Sequence, residues 1–104
     1  MQLTIEDVRS LLTPPKQETL FRSGQKYLIR TVTNFFVGEV VQATEAEIQL
    51  RQASWVADTG RFGACLKTGS LKEAEPYPDM VIVKQAAIVD YAPWPHDLPT
   101  KVIG

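Results

Sequence analysis

The side chains that could do chemistry in this 104-residue chain are few and far apart. Cys65 is the only cysteine and His96 the only histidine, so one chain can build neither a disulfide nor a multi-cysteine metal site. Carboxylates are present, but no pair of them comes with a nucleophile or with a metal-ligand spacing. The sequence therefore predicts no catalytic residue, no metal and no cofactor, and a protein that is not an enzyme. The carboxylates considered are Glu45, Glu47, Asp58 and Asp79.

Composition limits the classes of partner. The formal net charge is −1 and the pI is about 5.8. A general nucleic-acid-binding protein is usually strongly basic, so this balance disfavours nonspecific phosphate binding but leaves room for a local basic ring. No apolar run reaches about 18 residues and the first residues lack the features of a signal peptide, so we expect no membrane partner and a cytoplasmic protein. The length predicts one domain over residues 1–104.

The chain opens on a segment that predicts a short helix over residues 4–12. Thr4 is a suitable N-cap, and apolar residues recur behind it at helical spacing. Pro14 and Pro15 end the pattern. A helix this short is marginal by itself, so its apolar stripe is expected to pack on the rest of the domain.

Alternating apolar residues predict the first three strands over residues 26–56. The hairpin 35–56 organises the domain, with a polar turn at residues 44–47. Gly38 lies inside its first strand, where a glycine indicates a bulge or a sharp bend. Residues 57–79 are expected to be mostly loop, with one helical turn over 62–67. The last two strands are expected over 80–91, followed by a proline-rich tail over 92–104. In that tail Trp94 is expected to pack on the domain and His96 to be exposed to solvent.

The strand pattern resembles a known family. One short helix followed by five strands, with a sharply bent second strand, is similar to the Sm-like arrangement of small SH3-like β-barrels. Gly38-x-Val40 followed by Ile48-x-Leu50 resembles the first Sm motif, in which the next strand opens after a polar turn. Residues 81–89, VIVKQAAIV, resemble the second motif: a strand, a basic residue at a corner, and a final strand. Small phage-encoded Sm-like proteins of unassigned role are the most similar members.

The resemblance covers roughly residues 1–92 and implies a mainly β fold, a five-stranded, strongly bent antiparallel barrel with a short N-terminal helix. In Sm-like rings the fourth strand of one subunit pairs with the fifth strand of the next, here segments 80–83 and 87–91. Both segments are short and mainly apolar, and such edges are a liability unless they are paired. The resemblance therefore implies a homo-oligomeric ring of five to seven subunits.

RNA or nucleotide binding is the first function that the resemblance implies. Lys84 keeps the basic position of the second motif and would supply a ring of positive charge, with Gln85 contacting base edges. Arg61, in the long loop, would add phosphate contacts. The turn 44–47 departs from the family, since it has two glutamates where Sm proteins usually have an aspartate and then an asparagine, and repeated glutamates repel phosphate.

A structural or protein-interaction ring is the alternative function. An example would be a phage-encoded adaptor that binds a host protein in the host cytoplasm without nucleic acid. The acidic balance of the chain, the glutamates of the turn, the long loop and the proline-rich tail with Trp94 favour this alternative.

Overall fold

Over residues 21–104 the fold is a six-stranded antiparallel sheet with one short helix. The structure, a computed structural model, describes residues 21–104, so the predicted helix over 4–12 lies outside the described residues. The prediction of a mainly β, antiparallel domain is confirmed. The elements are β1 (Lys26–Thr31), β2 (Phe35–Ala43), β3 (Glu47–Asp58), α1 (Phe62–Thr68), β4 (Glu73–Pro76), β5 (Val81–Lys84), a 3-10 turn (Gln85–Ala87) and β6 (Ile88–Pro93).

Strand β3 is the longest and carries two different partners. The main path through the sheet is β4-β3-β2-β1-β6, and β5 pairs with β3 off this path. The first residues of β3 pair with β5, from Glu47 opposite Lys84 to Leu50 opposite Val81. Its last residues pair with β4. Among the described residues the sheet is not closed, because β4, β5 and β6 each pair with one strand only.

The segment 57–79 contains more structure than the sequence predicts. The expected helical turn over 62–67 is present as α1, but the prediction that the rest is loop is wrong for residues 73–76, which form β4. This strand brings the count from the predicted five to six. Its sequence, EAEP, has no strand-forming types, and its conformation comes from backbone pairing with the end of β3. Pro76, which cannot donate a backbone hydrogen bond, is the last residue of the strand.

Gly38 marks a sharp bend of the first hairpin, as the sequence predicts. The register of β2 and β3 shifts between Val37 and Glu39, and one extra residue on β3 makes a bulge. A Cβ atom on Gly38 would lie 3.1 Å from the Cβ of Ala53, closer than ordinary van der Waals contact. Gln52, on the bulged side, has φ of 50°, a left-handed conformation that usually requires glycine. The two strands therefore approach too closely here for a side chain on β2.

Two apolar cores lie on opposite faces of the sheet. Tyr27 and Ile29 point to one face of β1, while Leu28 between them points to the other, as the alternation of a strand requires. The inner core is formed by the buried residues Phe21, Tyr27, Ile29, Val40, Ile48, Leu50, Ala53 and Val83. The outer core is formed by the buried residues Leu28, Val37, Val56, Cys65, Leu71, Ala74 and Trp94.

The outer core explains the position of the tail. Trp94 is only 2% exposed and its indole N–H donates to the carbonyl oxygen of Asp97 at 3.2 Å, so the prediction that it packs on the domain is confirmed. Further along, Ile103 and Ala74 exchange two backbone hydrogen bonds of 2.8 and 3.0 Å. The tail thus holds β4 in place from the side that faces away from β3.

Candidate binding surfaces

Two of the three predicted site residues lie together at the first residues of β3. Lys84 stands opposite Glu47 in the register of β5 and β3, and its Nζ lies 3.0 Å from Glu47 Oε2. Gln85 begins the 3-10 turn; its side-chain amide donates to the carbonyl oxygen of Thr44 at 3.0 Å, and its backbone N–H donates to that of Ala46 at 2.9 Å. We call this region, residues 44–47 with Lys84 and Gln85, the turn end.

The polar groups of the turn end are largely engaged with one another. The ammonium of Lys84 forms an ion pair with Glu47. The side-chain amide of Gln85 donates a hydrogen bond to the carbonyl oxygen of Thr44, which fixes the turn 44–47. Glu45 adds a second, exposed carboxylate beside them, so negative charges outnumber positive ones. A phosphate approaching Lys84 would have to displace Glu47 and remain near both carboxylates, which is electrostatically unfavourable.

Arg61 does not join the other two predicted site residues. It is the N-cap of α1, three residues beyond the end of β3, whereas Lys84 pairs with the first residue of β3. Its local surroundings include Gly63, Ala64 and Lys67, which line a shallow depression with it. The structure therefore places Arg61 and Lys84 towards opposite ends of one strand rather than around one site.

A second surface, which the sequence did not suggest, lies at the last residues of β3. Trp55 stands opposite Phe36 on β2 and opposite Glu75 on β4, so these three side chains share one face of the sheet. Tyr77 follows β4 and stacks on Phe36, with ring centroids 6.1 Å apart. We call the surface formed by Trp55, Glu75, Tyr77 and the adjoining prolines and tail the groove end. Only the pairing of β4 with β3, which the sequence pattern does not indicate, brings these residues together.

Cys65 and His96 have structural positions. Cys65 is fully buried in the outer core, and burial raises the pKa of its thiol, which keeps it protonated and a poor nucleophile. The expectation of a solvent-exposed histidine is wrong. His96 is half-buried, with Nε2 2.8 Å from the carbonyl oxygen of Leu66 and its ring edge-on to Trp94. It ties the tail to the last turn of α1, whose terminal carbonyl groups lack partners within the helix.

Residues 21–104 contain neither a cluster of metal-ligating side chains nor a membrane-spanning helix. Within that range no three histidine, cysteine or acidic side chains come close enough to hold a metal ion. In the same range no helix has the length and apolarity needed to span a bilayer.

Comparison with known proteins returns no relative for this chain. No family model matches the sequence, and neither a curated protein nor a solved structure matches it. The resemblance to the Sm-like family therefore stays a prediction, and any function must be argued from the two surfaces and the strand edges of the chain.

Proposed function

We propose that this chain is an Sm-like module that assembles with copies of itself through the edges of β5 and β6 and serves as a protein-interaction ring. One observation carries the proposal. β5 and β6 are joined by a single 3-10 turn, and within residues 21–104 each pairs with one strand only, β5 with β3 and β6 with β1. Within that range each strand therefore presents one unpaired backbone edge in a single copy.

The side chains on these two strands support assembly. Ile82 on β5 is 54% exposed and Val89 on β6 is 57% exposed. Exposed apolar residues on short edge strands favour pairing with another chain, because pairing satisfies the backbone groups and removes apolar surface from water. Pairing of β5 from one copy with β6 of the next is a head-to-tail contact, which gives a ring when the rotation closes.

The order of pairing also supports the Sm-like fold. The resemblance implies a bent second strand and two last strands joined at a corner, and the bent β2–β3 hairpin and the 3-10 turn between β5 and β6 fit both features. β5 pairs with the start of β3 and β6 with β1, so the five strands lie next to one another in one sheet. In the proposed Sm-like fold, the five barrel strands are β1, β2, β3, β5 and β6. Strand β4 and α1 are then an addition between the third and fourth barrel strands, covering the outer face.

The mass of the protein in solution tests the assembly. Light scattering over a range of concentrations is expected to give five to seven times the chain mass of 11.6 kDa. Ile82→Lys and Val89→Lys are expected to lower the mass towards one chain, since a lysine on an edge opposes strand pairing. Val32→Lys, at a more exposed valine outside both edges, is the matched control and is expected to keep the native mass. A native protein of one chain mass at every concentration would refute the assembly.

Protein binding is favoured over RNA binding by the charges of the turn end. Lys84 and Gln85, which the resemblance assigns to RNA, are engaged with Glu47 and Thr44. A ring would repeat the two glutamates of the turn around its axis. Repeated carboxylates oppose the approach of phosphate, whereas they permit contact with a protein surface of positive or neutral charge.

RNA or nucleotide binding is the second candidate, and the grouping of Lys84 and Gln85 beside the turn 44–47 favours it. Retention of labelled oligonucleotides by the native protein, Lys84→Ala and Glu47→Gln tests this function. If RNA binds there, Lys84→Ala should lower retention and Glu47→Gln should raise it, because the second change frees the lysine and removes a negative charge. Equal retention by all three proteins, or none by any, would exclude it.

A further inference from the structure

The groove end has rigid walls. The backbone N–H of Tyr77 donates to the carbonyl oxygen of Ala53 at 2.8 Å, which fixes the residue that follows β4. The Tyr77 ring lies nearly parallel to that of Phe36, at an interplanar angle of 23°. Two prolines flank Tyr77 in the chain and restrict its backbone further. The aromatic surface is therefore formed before any partner arrives.

Two cavities meet at this point. One has a volume of about 400 Å³ and the other about 700 Å³, and both have Pro76 and Tyr77 as a wall. They adjoin at this shared wall, with Trp55 bordering the smaller cavity and the tail bordering the larger, and we call the two together the groove. The smaller cavity is lined by Trp55, Glu75, Pro76, Tyr77 and Pro78. The larger is lined by Lys26, Glu39, Gln52, Ala53, Pro76, Tyr77, Asp97, Leu98, Pro99 and Thr100.

The aromatic rings of the groove remain open to solvent. Trp55 is 40% exposed and Tyr77 is 36% exposed, while the other tryptophan of the chain, Trp94, is buried. Exposed tryptophan and tyrosine side chains in a preformed groove are typical anchors of protein interfaces, since they offer a large contact area and few rotatable bonds. The groove thus has the character of a binding surface for an extended segment.

Charge decides which segment fits. Among residues 21–104, three carboxylates line the groove and only one base, Lys26, whose Nζ is hydrogen-bonded to the carbonyl oxygen of His96. Glu39 is paired with Arg51, but neither Glu75 nor Asp97 has an ion pair within residues 21–104. Exposed carboxylates next to open aromatic faces favour a cation, which is attracted both by the acid and by the ring.

We propose that the groove end binds an extended, positively charged peptide segment of a partner protein. Arginine or lysine side chains of the segment lie over the Trp55 and Tyr77 rings, with their charges beside Glu75 and Asp97. This inference rests on the proposed function, of which it names the partner's chemistry and the surface that holds it. The same carboxylates repel nucleic acid from this groove.

A short synthetic peptide of alternating arginine and proline residues, labelled with fluorescein, is the probe. Its anisotropy is measured during titration with the full chain. Peptides in which glutamate or glutamine replaces arginine are the matched probes. The arginine probe is expected to bind at least tenfold more tightly than the glutamate probe and to weaken as salt is added. It should also change the emission of Trp55, the exposed tryptophan of the two in the chain.

Variants of the chain locate the site. Tyr77→Ala and Glu75→Gln are each expected to weaken binding of the arginine probe by about two- to fivefold, the range for one exposed cation–π or ionic contact. Glu73→Gln is the matched control, because it removes another exposed carboxylate of the same strand that has no ion pair within residues 21–104 and that lines neither cavity. The control is expected to bind as the native chain does.

Several results would overturn the inference. These are equal binding of the arginine, glutamine and glutamate probes, no binding of any probe, or an equal loss in Glu75→Gln and Glu73→Gln. A lower solution mass of Tyr77→Ala would also overturn it, since a second copy of the chain would then occupy the groove. If the native protein has five to seven times the chain mass but binds no probe, this inference alone is refuted. If the protein binds the arginine probe but has the mass of one chain, the assembly alone is refuted.

Discussion

The two ends of β3 use their polar side chains in opposite ways. At the turn end the cation, the amide and one carboxylate bond to residues of the same chain. At the groove end Glu75 and Asp97 make no ion pair within residues 21–104, and two aromatic rings stay open to solvent. Both ends pair β3 with a strand of four residues, so the length of the partner strand is not the cause.

The difference comes from how each short strand is anchored. β4 is held by the outer core through Ala74, which is buried and exchanges two backbone hydrogen bonds with Ile103. Its outward side chains are therefore not needed for folding. β5 leads directly into the 3-10 turn, and Lys84 and Gln85 help to attach that turn to residues 44–47. A polar residue that anchors a turn is less available to a partner than one on an element that apolar packing already holds.

The largest effect is expected from removing Trp94, the buried residue of the outer core that anchors the groove end. Trp94→Ala is expected to lower the free energy of unfolding by about 3–5 kcal/mol, because it leaves a cavity in the outer core. Trp55→Ala, the matched control at an exposed tryptophan, is expected to cost less than about 1 kcal/mol. Urea unfolding of both variants checks the contrast. Equal losses would mean that the outer core does not hold the groove end.

The next largest effect on stability is expected at Gly38, where the first hairpin bends between the two ends of β3. Gly38→Ala is expected to destabilise the chain by about 1–3 kcal/mol, since its new methyl group would crowd Ala53 and Leu50. Gly63→Ala in α1 meets no atom within 4 Å and should be neutral or raise stability by up to about 1 kcal/mol. Denaturant midpoints of the two proteins measure the difference. A neutral Gly38→Ala would show that the close approach of β2 and β3 can relax.

The left-handed residue of the bulge gives a smaller effect of opposite sign. Gln52→Gly is expected to raise stability by about 1 kcal/mol, because glycine adopts a positive φ without strain. Gln49→Gly, at a residue of the same strand whose φ is not positive, should lower it by about 0.5–1 kcal/mol. Thermal unfolding distinguishes the two. Loss of stability in Gln52→Gly would mean that the glutamine side chain contributes more than its backbone costs.

The smallest effect compares the ion pairs at the two ends. A double-mutant cycle on Lys84 and Glu47, 3.0 Å apart, is expected to give a coupling of about 0.2–1 kcal/mol that decreases with salt. The same cycle on Lys72 and Asp58, 3.9 Å apart and more exposed, should give a smaller value. Unfolding of the single and double variants at low and high salt measures both couplings. A larger coupling at Lys72 would contradict the view that the turn end is the more tightly bonded one.

Much of the fold could be predicted because apolar alternation reports which residues face a core. The hairpin with Gly38, the turn 44–47 and the strands on either side of the 3-10 turn all follow from such patterns. Strand β4 could not be predicted, because its four residues have low strand propensity and its conformation depends on pairing with β3.

The candidate sites, like the fold, could be predicted from the sequence only in part. A basic residue and its neighbour at a strand corner are visible in sequence, and Lys84 and Gln85 do lie together with the predicted turn. That Glu47 neutralises Lys84 depends on the register of β5 against β3. Arg61 was predicted to join them, but the chain runs the length of β3 before it reaches that residue.

By itself the sequence determined the mainly β class, the bend at Gly38 and the order of strands that are close in the chain. These are local properties, set by side-chain alternation and by the conformations that glycine and proline allow. Only the tertiary structure decided that two cores lie on opposite faces, that the tail holds β4, and that Trp55, Glu75 and Tyr77 form one groove. Such groupings depend on register between segments distant in the chain, and a shift of one residue would turn every side chain of a strand to the other face.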